Sequence, residues 1–165
     1  MKQSLLRDVL HGGLALLAAF LVHAALRLIP VPYVLALDVY SVAVIAFALV
    51  KGEVAGAVMG AVAGLVIDSF SLGVFGLAGI AGTVTGYATG TISRKINVMA
   101  PARMFVFAGL MGLLDFGLWV LLTSVFFGRG VPWGGGAAIV RPLTTAVAVT
   151  VIHSFYRRTK SRRDG

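Results

Sequence analysis

The segment Lys51–Gly90, KGEVAGAVMGAVAGLVIDSFSLGVFGLAGIAGTVTGYATG, places glycine at 52, 56, 60 and 64, breaks at Asp68, and resumes at 73, 76, 79, 82, 86 and 90. In water a glycine inside a helix costs about 1 kcal/mol relative to alanine, so a soluble helix with one at every fourth position would scarcely form. In lipid the backbone must satisfy its own hydrogen bonds. Small residues four apart then let a second helix come close enough for dispersion contacts to hold the pair. The spacing predicts tightly packed membrane helices, with Gly52, Gly56, Gly60, Gly64, Gly82, Gly86 and Gly90 as helix-packing or partner-binding positions. On an ideal helix the first four drift by about 40° per step, so their ridge should wrap a neighbour at a crossing.

The rest of the chain agrees with that reading. Of its 165 residues 59% are hydrophobic and 12% charged, and the mean hydropathy is +0.97, more apolar surface than a soluble domain of this size needs. A span takes about 20 apolar residues, so the length admits six helices with short loops and no separate aqueous domain. Six stretches fit: 9–29, 33–50, 53–72, 74–92, 103–127 and 137–156. This predicts an all-α polytopic membrane protein with one domain over 1–156 and a basic cytoplasmic tail over 157–165. The first stretch follows Lys2 and Arg7 like a signal peptide, but it is long and lacks a small-x-small cleavage site, so it reads as a retained helix. Tyr33 and Trp133 suit an interfacial belt. There is no cysteine, which removes disulfides and thiolate chemistry.

The net charge of +8 is explained by topology. With a cytoplasmic amino terminus, Lys2, Arg7, Lys51, Arg94, Lys95, Arg103, Arg157, Arg158, Lys160, Arg162 and Arg163 lie inside, and only Arg27, Arg129 and Arg141 lie outside. That bias is the positive-inside rule, and it puts both termini in the cytoplasm. The tail Arg157 to Arg163 reads as a topology determinant drawn to anionic lipid, at about 1 kcal/mol per residue, rather than as a nucleic-acid arm.

Ionisable residues inside a bilayer are expensive, so each is a candidate for function or for pairing. Asp68 lies about 22 Å along its helix from the cytoplasmic end, in the outer half. Asp38, at the start of the second helix, and Arg141, at the start of the sixth, share that depth. The three could form a buried ion pair or line a pocket that opens outward, and Asp38 also complements a helix dipole. Asp115 lies near the middle of the fifth helix, about 18 Å in, with His23 as one candidate partner. Ser69 and Ser71 beside Asp68 suit the satisfaction of a helix end. No histidine–carboxylate cluster at metal-ligand spacing, no phosphate loop and no serine with a base is visible in the sequence, so neither an enzyme nor a cofactor is expected.

Lys51–Gly90 resembles the signature region of the MreD family of rod shape-determining membrane proteins. The likeness rests on a spaced-glycine helix ending in Gly64, Leu65 and Asp68, a turn with Leu72 and Gly73, and a helix ending in Gly86, Tyr87 and Gly90. Pro32 and Asp38, which the family commonly joins at the start of the second helix, stand apart here. The resemblance implies a non-enzymatic part of the bacterial cell-elongation machinery in the cytoplasmic membrane. Its partner would be the scaffold MreC and, through it, MreB and the glycosyltransferase and transpeptidase that build lateral peptidoglycan. It also implies a fold like that of the substrate-binding subunits of energy-coupling-factor vitamin transporters. A ligand-binding transport subunit is therefore the alternative, and Ala15 with Ala19 fits the Ala-x-x-x-Ala seam often found on the first helix of those proteins.

Overall fold

The computed structural model describes residues 2–28, 37–70, 75–98, 100–128 and 137–161. Six helices occur among the described residues: α1 (Lys2–Arg27), α2 (Val39–Lys51), α3 (Glu53–Ser69), α4 (Leu77–Lys95), α5 (Pro101–Phe127) and α6 (Ala137–Ser161). No strand occurs among the described residues. Three stretches, Arg7–Leu26, Pro101–Phe127 and Ala138–Phe155, are long and apolar enough to cross a membrane, which supports a membrane protein. Tyr33, Pro32, Ser71, Leu72, Gly73, Arg129 and Trp133 lie outside the described residues.

The inner helices are shorter than the expected spans because local chemistry stops them early. Asp38 caps α2 by accepting the Ser41 amide at 3.1 Å, so the helix starts at Val39 rather than near 33. Gly76 adopts a left-handed φ of 104° ahead of α4, which delays that helix to Leu77. The α2–α3 break takes one residue, Gly52, whose φ of 93° and ψ of −169° are open only to glycine. At 1.5 Å per residue α2 is about 20 Å long and α3 about 25 Å, while α1, α5 and α6 each reach close to 40 Å.

α2 is the centre of the arrangement and packs against each of the other five helices. Its residues divide between two faces. Val42 and Ile45 join Met104, Phe107, Ala108 and Met111 of α5 with Ala146 and Val149 of α6. Tyr40 and Val44 join Ala19 of α1 with Met59 and Ala63 of α3. The α5 set follows the i, i+3, i+4, i+7 spacing of one helix face. α1 turns Val9, Leu10, Leu14, Leu17 and Leu21 outward, as a lipid-facing helix would.

The two glycine ridges are the two halves of one seam. A Cβ on Gly60 would overlap the Gly82 carbonyl, one on Gly64 the Ala78 backbone, and one on Gly90 the backbone of Gly52 and Glu53. A Cβ on Gly56 would stand 2.5 Å from the Gly86 oxygen, and one on Gly82 would stand 2.6 Å from the Gly60 oxygen. Residues 52, 56, 60 and 64 therefore meet 90, 86, 82 and 78 in antiparallel order, backbone against backbone. The reverse face of α3 carries Val54, Val58 and Val62, all exposed. At the cytoplasmic end expected from the charge pattern, Lys51 pairs with Asp8 and Arg94 pairs with Glu53 at 2.9 Å. These contacts tie the start of α1 to the end of α2, and the start of α3 to the end of α4.

Candidate functional site: a polar cavity among the helices

The short inner helices leave a recess between the longer ones. Where α2 begins and α3 ends, a cavity of about 340 Å³ reaches down to Gly60, with walls drawn from all six helices. Its polar lining is His23 of α1, Asp38, Tyr40 and Ser41 at the start of α2, Asp115 of α5 and Arg141 of α6.

Ser41 organises the acidic side. Its amide donates to Asp38 at 3.1 Å, and its hydroxyl donates to Asp115 Oδ2 at 2.6 Å, so one residue holds two carboxylates from different helices. The spacing of Asp38 and Ser41 is that of a helix N-cap and the third helical residue. That signal is present in the sequence, but the reach of the Ser41 hydroxyl to Asp115 is not.

The lining also carries a cation and aromatic rings. Arg141 lies over the Phe116 ring, 5.6 Å from its centroid, and Phe116 stacks with Trp119 at 6.5 Å. Neither of the two ion pairs found among the described residues involves Arg141. His23 sits against Tyr40, ring centroids 5.5 Å apart.

This geometry regroups the residues singled out from the sequence. Asp38 and Arg141 do share one recess, and Asp115 and His23 join them there. Asp68 does not: it is 7% exposed and receives the backbone amides of Gly76 at 2.9 Å, Ala78 at 3.3 Å and Gly79 at 3.3 Å. The cause is the glycine at the N-cap of α4, which has no side chain to accept those amides. Asp68 supplies the cap from the preceding helix, where its negative charge also meets the positive end of the helix dipole. An ion pair of Asp68 with Arg141 is accordingly replaced by a carboxylate–helix cap. For Asp115, the hydrogen-bond partner on display is Ser41 rather than His23. Ser69 bonds the Leu65 carbonyl at 2.8 Å, the helix-end duty expected of it.

Among the described residues no group of three or more histidine, cysteine, aspartate or glutamate side chains could hold a metal ion. The aromatic lining contributed by Phe116 and Trp119 carried no signal in the sequence, because aromatic residues on a membrane helix are common on lipid-facing and inward faces alike. No family model, no curated protein and no solved structure matches the chain.

Proposed function

We propose that this chain is a non-enzymatic, six-span protein of the bacterial cytoplasmic membrane, of the MreD type, that binds the MreC scaffold and supports cell elongation. The observation that carries the reading is the division of labour among the residues of the resemblance. Gly64, Asp68, Gly86 and Gly90 are buried and lock α3 to α4 by backbone contact and by the cap, while Leu65 and Tyr87 of the same motif face outward. A motif that builds a rigid helix pair and leaves apolar side chains on its outer face suits helix association in lipid. Six spans are supported by the ion pairs Asp8–Lys51 and Glu53–Arg94, which gather at one end four of the six helix termini that the alternation puts in the cytoplasm. In this reading α2, α3 and α4 cross as short helices sheltered by their neighbours.

The cavity favours a second reading, a ligand-binding subunit like those of energy-coupling-factor transporters. Against it, Ala19 packs inside against Tyr40, Val44, Met59 and Ala63, with Ala15 beside it, so the Ala-x-x-x-Ala seam serves the protein's own core and not a second subunit. Co-purification tests the choice. The tagged chain should carry down MreC from membranes, and its depletion should round the cells. Tight vitamin binding together with an ATP-driven module, in cells that keep their shape, would replace this reading with the second.

A further inference from the structure

The cavity is lined by charges of both signs, and among the described residues no ion pair joins them. Asp38 and Asp115 are held by Ser41, an uncharged residue, and Arg141 rests on an aromatic ring. Isolated charges are expensive in so apolar a surrounding, and direct pairing is the usual remedy. Here charges of both signs line one cavity with no ion pair between them among the described residues, an arrangement that a guest carrying both signs would complete.

We infer that this cavity binds a small zwitterion, with a protonated primary amine and an acid group on one short skeleton. The amine donates to the carboxyl oxygens of Asp38 and Asp115. The acid group, carboxylate or phosphate, takes the Arg141 guanidinium, whose planar fork of donors matches either. The skeleton lies against Phe116 and Trp119. The volume of about 340 Å³ is at the small end of ligand pockets, which run from about 300 to 1,000 Å³, so the bound group is short.

Two sources present this chemistry: a free zwitterion in the aqueous phase, and the head group of phosphatidylethanolamine. The lipid source has a route, because Phe70 lines both the cavity and an apolar groove formed by Leu16, Leu17, Phe20 and Val66 between α1 and α3. An acyl chain in that groove would leave its head group at the cavity mouth. The inference stands apart from the assembly reading, since no partner protein enters the site.

The test uses the full chain with Trp133→Phe, which leaves Trp119 as the sole tryptophan of the two in the sequence. One arm titrates the detergent-solubilised protein with phosphoethanolamine and with each neutral L-amino acid; the other places it in phosphatidylcholine nanodiscs with increasing phosphatidylethanolamine. A saturable change in Trp119 emission and a rise in Tm are expected in at least one arm, and which arm responds identifies the source. Phosphocholine and pure phosphatidylcholine, whose quaternary nitrogen has no N–H to donate, should give neither signal. Asp115→Asn and Arg141→Gln should each raise the half-saturating concentration at least tenfold. Silence in both arms, an equal response to choline head groups, or binding unchanged in both variants would overturn the inference. Should a variant lose its thermal transition, the comparison of ethanolamine with choline on the parent protein decides alone.

Discussion

Replacing Gly56 by alanine should destabilise the protein, although the same change in an open helix does the opposite. Removing a glycine from a helix interior normally stabilises it, by about 0.4 to 1 kcal/mol. At Gly56 the added methyl would stand 2.5 Å from the Gly86 oxygen of α4 and 2.6 Å from the Ala48 Cβ of α2. Ordinary contact begins at 3.4 Å, so α4 would have to retreat by 0.9 Å and α2 by 0.8 Å. Neither neighbour is the end of a flexible side chain. Overpacking a tight core costs about 1 to 3 kcal/mol, and with two fixed walls the upper figure applies. At about 2 to 4 °C per kcal/mol for a chain of this size, Tm in detergent should fall by roughly 6 to 12 °C. Gly117→Ala is the control, because nothing lies within 4 Å of a Cβ there, and it should hold or raise Tm. Val58→Leu, on a side chain 60% exposed, should move Tm by less than about 2 °C, within the usual range for surface changes. A Tm that rises with Gly56→Ala as it does with Gly117→Ala would refute the backbone-to-backbone seam.

Asp68→Ala, which strips three amides of their acceptor, should cost about 1 to 3 kcal/mol in thermal or denaturant unfolding. In a cycle of Asp68→Asn with Arg141→Gln the two effects should add to within about 0.5 kcal/mol, whereas a coupling well above that would restore a direct pair. Alkaline phosphatase fused after Gly165 should be inactive, as both termini are expected in the cytoplasm; an active fusion would sink the six-span topology.

How much of this was visible in the sequence depends on whether a feature is one-dimensional. Helix existence, Asp38 at the start of the second helix and the small-residue ridge are written along the chain, and each reappears in the structure close to its expected place. The mating of the ridges is not, because four-residue spacing states that Gly60 meets something small without naming Gly82. Depth along a helix was a poor guide for Asp68 and Arg141. It sets height but leaves open the direction in which a side chain points, and Asp68 points to the start of α4. A clue was available in Gly76, a residue unable to cap the helix it opens. Asp115 illustrates the same gap: its contact with Ser41 joins residues 74 apart, which no local pattern encodes.

Seam and cavity have a common origin. Glycine contacts bring α3 and α4 so close that both can sit beside a central α2, and that trio occupies less width than helices separated by ordinary side chains. Asp38 and the Asp68–Gly76 cap lie at one end of the trio, where His23 of α1, Asp115 of α5 and Arg141 of α6 also line the cavity. The volume left between short and long helices is the recess, and the side chains that line it come from helix ends and from the flanking long helices, where polar groups are tolerated. Gly60, Gly64 and Gly82 appear both in the seam and in the cavity floor. The close packing of α3 on α4 at these glycines therefore also forms part of the cavity lining.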